Sequence, residues 1–572
     1  MSPAVLTDPL QAPAEAARLR MTPPADAAER LAAATKKKKK RKPKKLPVCT
    51  AKDLRQQRAW DRNQRLKKSK RKKLTKPRKC RVVPVVPTPT RPSPTGPVAA
   101  PPVTTPSPDA FPTAPVAERT DGLRAYSGPF GVKEATRLLF RGGFGPKPGQ
   151  AQEFAGLGLK AAVARLINPG GATLQGPAPA GDFLVGGQFA PEDRWGHGHL
   201  EWLDRTVRST DQLGERMTLV MHDWIAISDA GVGARQMRTS IQLLRDGWRG
   251  SFRELMMKIT VDPAMLEWLN GLGSDKWSPN ENYARELMEL FCLGADRGAY
   301  TEADIREMAR ALTGWRADWS EELGLHNYRF DARRWDEKEK VFFRGQPYER
   351  RGKFNWQDTV NAVLDHPLHA SFVALKLWGA FIPTPPTPVT LDELVALYRS
   401  SGERLEPLVE AILQHPDLYN GPSVTKAPIT YVAGMLRARG RGIDDDSWTW
   451  ICSGAGQQLW SPPNVSGWNE RAWLNTTTYS YRWYAASNHV HAEEIDEDSY
   501  RGSTETPQQA VERALAFWGN PVITAEHRAA LDGLAVDADA TPYWNGGEHV
   551  RRTHRQHALR MLVVVSPDYQ VS

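Results

Sequence analysis

The chain has 572 residues, of which 40% are apolar and 20 are tryptophans, enough to fill the cores of two or three ordinary domains. This composition excludes a chain that is disordered throughout. The net charge of +12 is concentrated in residues 36–80, which hold 23 Lys/Arg and two acidic residues, so the rest of the sequence has 54 basic and 63 acidic residues, a net charge of −9. The basic character therefore belongs to one segment and does not indicate a nucleic-acid-binding fold.

The N-terminal part of the sequence predicts disorder. Residues 1–35 are rich in Ala and Pro, residues 36–80 form a Lys/Arg-rich tail, and residues 81–120 form a linker with 12 prolines. The tail would attract a polyanion, whether nucleic acid, anionic lipid or acidic glycan, by counterion release and without sequence preference. The alternative is a solvated extension that only aids solubility.

Several features bear on compartment and cofactors. No stretch approaches the roughly 20 apolar residues of a membrane span, and no apolar segment follows a basic start, so no standard signal peptide is visible. A cytoplasmic location is the default expectation, with an envelope-associated or exported protein as the alternative. The four cysteines include no CxxC pair, so no zinc or iron–sulfur site is expected. Cys49 and Cys80 could form a disulfide after export, but two unlinked thiols are the preferred interpretation.

The body of the protein, residues 121–572, predicts one all-α domain of many helices with long loops, such as residues 171–196. In the segment VDPAMLEWLNG, Asp262 is suited to cap a helix that begins at Pro263, and Gly271 is suited to its left-handed end. No alternating strand series is visible apart from short pieces such as residues 341–343. The pattern therefore favours a helical array over a doubly wound sheet.

Two adjacent helices predict a helical hairpin. The segment NENYARELMELFCLG, residues 280–294, places Tyr283, Leu287 and Phe291 on one face. Thr301 is suited to cap the following helix, which ends near residue 312. The two apolar faces should pack together.

These segments resemble the DUF1800 family of bacterial proteins, a family of unknown function. Further matching segments occur in the expected order and span about four hundred residues. They are GGFGP (142–146), VDPAMLEWLNG (261–271), DHPLHASFVALKLWGAFI (365–382), TKAPITYVAG (425–434), GQQLWSPPNVSGWNERAWLNTTT (456–478) and SPDYQ (566–570).

The resemblance implies a helical fold, often a gene neighbour that encodes a sulfatase-like protein, and export signals in many members. It implies no proven activity. This sequence departs from the family in showing no export signal and in having Trp335-Asp336 where members often have His-Asp, which weakens the transfer of an envelope role or of histidine-dependent chemistry.

The polar residues around the first hairpin helix are the main candidate for chemistry. They are Asn280, Glu281, Asn282, Glu286 and Glu289, with Lys376 or Lys426 as a counter-charge and His222 nearby. Such oxygen ligands would suit calcium or magnesium, or a carboxylate that acts as general acid or base. The alternative is structural: Glu281 would form an ordinary ion pair with Arg285, and Glu286 would pair with a buried lysine to fix helix packing.

The loop around SPPNVSGW is a second candidate. Asn464, Trp468 and Trp473 could form a rigid surface that stacks on sugar rings or anchors a partner, although core packing of the indoles is the stronger expectation. No GxSxG, P-loop, dinucleotide or HExxH motif is present.

Three hypotheses follow from these candidates. The first is a binding module for a sulfatase-like protein or an acidic glycan that uses the loop. The second is a metal-dependent or carboxylate-based hydrolase that uses residues 280–289, and the third is a nucleic-acid-associated protein that acts through its tail.

Overall fold

The computed structural model describes residues 119–492, 495–542 and 547–572. The predicted Ala/Pro-rich segment, the basic tail with Cys49 and Cys80, and nearly all of the linker lie outside the described residues. The described chain is mainly helical, which confirms the predicted fold class. Among its helices, none combines the length and the apolar character needed to cross a bilayer.

The described residues form 22 α-helices, four short strands, three short 3₁₀ helices and one π-helix. The first ten helices are α1 (Val132–Arg141), α2 (Gln150–Leu157), α3 (Leu159–Ile167), α4 (His197–Arg208), α5 (Gln212–Trp224), α6 (Ala234–Gly247), α7 (Phe252–Thr260), α8 (Pro263–Trp268), α9 (Asn282–Glu286) and α10 (Glu302–Ala311). The strands are β1 (Trp315–Ser320), β2 (Gly324–Phe330), β3 (Lys340–Phe342) and β4 (Arg350–Gly352). The remaining helices are α11 (Trp356–Leu364), α12 (His369–Phe381), α13 (Pro388–Ser400), α14 (Glu406–Gln414), α15 (Pro416–Asn420), α16 (Pro428–Arg439), α17 (Ser447–Gly454), α18 (Thr476–Ala492), α19 (Pro507–Phe517), α20 (Ala525–Ala540), α21 (Glu548–Val565) and α22 (Pro567–Gln570).

One hydrophobic core runs through the helical array, from α1 to α22. Helix α16 is buried along most of its length and packs against both α4 and α18. At the C-terminal end, α19, α20 and α21 pack against one another. Helix α5 is also buried over most of its residues, so polar side chains on it lie in the interior or at its boundary.

The predicted start of α8 is confirmed, and its predicted end is wrong by one residue. The Asp262 carboxylate accepts the backbone N–H of Met265, and Pro263 occupies the first turn. Asn270, with φ of 57°, takes the left-handed position expected of Gly271, which instead begins a short 3₁₀ helix. Asparagine tolerates this backbone region better than most residues, which accounts for the shift.

The predicted hairpin of residues 280–312 is present, and its first helix changes type midway. Helix α9 continues as a π-helix over Leu287–Cys292, and α9 packs against α10. The wider π turn leaves carbonyl groups to other partners: the Trp224 indole donates to the Leu290 carbonyl oxygen at 3.0 Å, and the His369 ring lies 3.0 Å from that of Cys292. The hairpin is therefore tied into the core.

Strands are more extensive than the sequence predicted. Besides β3, which includes the expected residues 341 and 342, β1 and β2 form an antiparallel hairpin from the pair Trp315–Phe330 to the pair Ser320–Gly324. This hairpin was not identified from the sequence, because most of its residues are half-buried and its alternation is weak.

Candidate functional site

A recess of about 270 Å³ lies between α5, α16 and the loop that the sequence singled out. Its charged and indole-bearing lining residues are Arg141, Arg216, Asp223, Lys426, Glu470 and Trp473. Arg216 and Asp223 are seven residues apart on α5, a spacing that places both on one helix face. Two opposite charges on a largely buried helix are thus directed to one cavity.

Asp223 fixes the loop to the end of α5. Its Oδ1 atom accepts the backbone N–H of Trp468 at 2.7 Å. Gly467 has φ of +81°, and a Cβ built there would lie 2.3 Å from Asp223 Oδ1, so only glycine allows this approach. Burial raises the pKa of Asp223 to about 6, and the nearby Glu470 adds to this effect while Lys376 and Arg216 oppose it.

Arg216 is the arginine of the recess whose hydrogen-bonding capacity is least used. Its Nη1 atom donates to Thr430 Oγ1 at 3.1 Å, and its buried Nε atom has no partner among the residues that the structure describes. Burial lowers the pKa of Arg216, and the carboxylates of Glu470 and Asp223 counteract this.

Other buried arginines are bound on several sides. Arg437 donates to the carbonyl oxygens of Gly145 and Val207, both at 2.7 Å, and to Gln150. Arg141, at the edge of the recess, donates to the carbonyl oxygen of Phe381 at 2.8 Å and to the backbone oxygens of Pro422 and Ser572. These arginines hold the backbone together, whereas the donors of Arg216 are largely unused.

Lys426 lies buried in the wall of the recess. Its Nζ atom donates to the Tyr569 carbonyl oxygen at 2.8 Å and lies 4.0 Å from the ring centre of Phe140 and 4.1 Å from that of Tyr569. Burial lowers its pKa to about 7, and the neighbouring Arg482 contributes to this.

Lys376, the other lysine considered as a counter-charge, is exposed. Partial desolvation lowers its pKa, while attraction to Asp223 and Glu470 counteracts the shift.

The loop residues proposed from the sequence differ in exposure. Asn464 is exposed, and its Oδ1 atom accepts the backbone N–H of Ser466 at 2.8 Å in a tight turn. Trp468 and Trp473 are each only 7% exposed, so they pack inward and do not present open faces for a sugar. Trp473 lines the recess, and its indole N–H has no partner in the described part of the chain.

His222 belongs to the core behind the recess. Its ring lies between those of Trp202 and Trp468, with centroid distances of 5.5 Å to each, and neither ring nitrogen has a partner within the described ranges. Burial lowers its pKa to about 3, so the ring is neutral at physiological pH.

The polar residues of α9 form an ion-pair network. Arg285 contacts the carboxylates of Glu281 at 3.3 Å, Glu289 at 3.4 Å and Glu302 at 2.7 Å. Asn280 Oδ1 accepts the backbone N–H of Asn282 at 2.8 Å. The pair of Arg285 with Glu281 is the one named in the structural alternative.

Glu286 stands apart from the counter-charges considered for it. It is half-buried; burial and repulsion from Glu289 raise its pKa, and Arg285 opposes this. Lys376 does not contribute to the pKa shift of Glu286. It interacts instead with Asp223 and Glu470. Within the described residues, no three His, Cys, Asp or Glu side chains are grouped so that they could hold a metal ion.

Three residues of the recess were missed by sequence reasoning: Arg216, Asp223 and Glu470. The available signal for two of them was the spacing of Arg216 and Asp223, seven residues apart in the segment RMTLVMHD, residues 216–223, which is otherwise mostly apolar. The packing of Gly467 against Asp223 joins distant parts of the chain and has no local signature.

Comparison with known proteins gives one match. A family model described as "protein of unknown function (DUF1800)" matches residues 137–571. No curated protein and no solved structure matches the chain.

Proposed function

Because the chain belongs to the DUF1800 family, whose function is unknown, we propose from the recess itself that the protein is a binding module for an acidic glycan. The recess would accept the carboxylate or sulfate group of a single sugar unit. This deepens the first hypothesis drawn from the sequence and moves the binding surface from the indole faces of the loop into the cavity beneath it.

The observation that carries the proposal is the unused donor capacity of Arg216. A guanidinium has five N–H donors, yet the half-buried Arg216 donates one hydrogen bond among the described residues, to a neutral hydroxyl, and its buried Nε atom has no partner there. A planar, always charged fork of donors in a cavity suits carboxylate and sulfate oxygens. An anionic ligand would supply the acceptors that the described residues do not.

The other groups of the recess favour a sugar over a bare anion. The carboxylates of Asp223 and Glu470, which line the recess beside Arg216, offer acceptors for hydroxyl groups. A ligand that carries an anionic group beside several hydroxyls matches this mixed lining. The cavity volume of about 270 Å³ lies just under the roughly 300 Å³ typical of small-ligand sites, which suits one sugar residue.

Calorimetric titration with glucuronate, galacturonate and glucose tests the proposal. We expect the two uronates to bind and the neutral sugar not to bind. Arg216→Met should weaken uronate binding by about tenfold or more, the loss of one charge-assisted contact. Arg333→Met, which removes an arginine side chain that is 90% exposed, is the matched control and should bind as the wild type does. Equal affinity of the Arg216 variant and the wild type would refute the proposal.

Two further aspects stay predictions. A sulfatase-like partner is tested by co-purification, and the cytoplasmic or exported location by cell fractionation. The hydrolase alternative at residues 280–289 has no support from a specific contact, because Arg285 forms ion pairs with three of the surrounding carboxylates.

A further inference from the structure

Lys426 has the surroundings of a reactive amine. It lines the recess together with Arg216, its Nζ atom lies between the rings of Phe140 and Tyr569, and it forms no ion pair with any described residue. Its hydrogen bond to the Tyr569 carbonyl oxygen uses one N–H and leaves the nitrogen lone pair of the neutral amine unused.

The charge state of Lys426 differs from that of a surface lysine. Burial and the neighbouring Arg482 lower its pKa to about 7, so about half of the amine is neutral near that pH. A surface lysine with a pKa near 10.4 has a neutral fraction on the order of a thousandth at the same pH. Only the neutral amine attacks a carbonyl carbon.

We propose that Lys426 forms an imine with a small carbonyl compound of the 2-oxo-carboxylate class, whose carboxylate is held by Arg216. This inference rests on the proposed function for the anion contact and adds a covalent step that binding alone does not include. The recess places an amine and an anion site in the walls of one cavity, which is the arrangement that such a bifunctional ligand requires.

The step is balanced without a further reactant. The Nζ lone pair attacks the carbonyl carbon and the C=O π electrons move to oxygen, which gives a carbinolamine after proton transfer from nitrogen to oxygen. Loss of the hydroxyl group as water, with the second Nζ proton, leaves the C=N bond of the imine. Asp223, whose carboxyl group lines the same recess, would exchange the protons, and its pKa of about 6 suits both directions near neutral pH.

Reductive trapping on the full chain tests the inference. The protein is incubated with glyoxylate and cyanoborohydride at pH 7, and modified lysines are identified by peptide mass mapping. We expect Lys426 to be modified at least tenfold faster than the exposed Lys160 and Lys353, with a rate that rises through about pH 7. A second arm uses formaldehyde, which needs no anion site.

Arg216→Met separates the two proposals. If both hold, the variant loses most of the glyoxylate adduct at Lys426 and keeps the formaldehyde adduct. If glyoxylate modifies Lys426 equally in variant and wild type, the proposal that Arg216 binds the anion is refuted, and the proposal that Lys426 is a reactive amine is supported. If neither reagent modifies Lys426 of the wild type while the exposed lysines react, the imine inference is overturned, whatever the uronate titrations show.

Discussion

Trp468 donates its backbone N–H to the carboxylate of Asp223 over 2.7 Å, although 245 residues separate the two in sequence. This contact holds the loop of residues 464–473 against the end of α5. It thereby sets Glu470 and Trp473 opposite Arg216 and closes one side of the recess. The integrity of the recess should depend on how closely the loop can approach Asp223.

Gly467→Ala should disrupt this approach. The new Cβ would lie 2.3 Å from Asp223 Oδ1 at a backbone φ of +81°, so both a clash and conformational strain oppose it. We expect unfolding free energy to fall by about 3 kcal/mol and uronate binding to be lost. Gly170→Ala is the matched control because Gly170 has φ of +78° with nothing within 4 Å, so strain alone should cost about 1 kcal/mol. Similar losses in urea denaturation of the two variants would contradict the argument.

Arg216→Met should leave the fold as stable as before or stabilise it by about 1 kcal/mol. The substitution removes the attraction to Asp223 and Glu470 and the hydrogen bond to Thr430. These losses are offset because it also removes a desolvated charge, whose Nε has no partner among the described residues, and replaces it with an apolar side chain. Arg437→Met should instead destabilise the protein by about 3 kcal/mol, because it leaves the carbonyl groups of Gly145 and Val207 without their donor. Urea denaturation measures the change in unfolding free energy of each variant. A large loss of stability in the Arg216 variant would indicate a structural role for this side chain.

The sequence predicted those parts of the fold that depend on local patterns. Asp262 and Thr301 cap their helices as expected, because an N-cap needs only a short polar side chain and the backbone beside it. The π-helix at Leu287–Cys292 was not predicted, since its carbonyl groups are satisfied by Trp224 and His369, which come from elsewhere in the chain. Local patterns contain no information on such tertiary partners.

Two residues of the recess were named from the sequence, but they were assigned to two separate candidate sites. Lys426 and the loop residue Trp473 do line one recess, whereas Glu286 lies among the side chains of its own helix. Acidic residues at helical spacing are equally compatible with an ion-pair network and with a ligand site, and only the position of Arg285 separates the two. Arg216 and Asp223 acquire their significance from the packing of α5 against α16 and the loop.

Sulfate binding should weaken as pH rises from about 5 to about 8. Asp223, with its pKa raised to about 6, is largely neutral at the lower end and gains a negative charge as pH rises. Lys426, with its pKa lowered to about 7, loses its positive charge over the same interval. Both changes weaken the attraction of the recess for an anion of constant charge. The affinity for sulfate should therefore fall on the order of tenfold over this interval.

Asp223→Asn tests whether the ionisation of Asp223 causes the loss of sulfate affinity near pH 6. The variant should lose the change near pH 6 and keep the change near pH 7, as followed by calorimetry at each pH. Affinity that rises with pH in the wild type would refute the electrostatic description of the recess.

Glu286→Gln should leave uronate binding unchanged and should not destabilise the protein at neutral pH. Burial and the neighbouring Glu289 disfavour the charged form of Glu286, so its folded-state pKa is raised and its ionisation opposes folding once pH exceeds that value. A neutral amide of the same shape removes this repulsion. Arg285→Met, by contrast, should lower the unfolding free energy by about 1 kcal/mol. This variant loses the positive charge that offsets the repulsion among the carboxylates of Glu281, Glu289 and Glu302. Loss of an activity or of a ligand in the Glu286 variant alone would instead support a carboxylate site there.

Deletion of residues 1–118 should abolish salt-sensitive binding to polyanions and leave uronate binding intact. The deleted part includes the 23 Lys/Arg of residues 36–80, whereas the rest of the sequence outside that tail has a net charge of −9. Binding through such a tail releases counterions, so the affinity for DNA or heparin should fall steeply with salt concentration in the full chain. Uronate binding, which depends on the recess, should change little by comparison. Filter binding at several salt concentrations measures the affinity for polyanions, and calorimetry at the same salt concentrations measures the affinity for uronate. Salt-sensitive DNA binding by the shortened chain would place the polyanion site on the body and contradict the assignment to the tail.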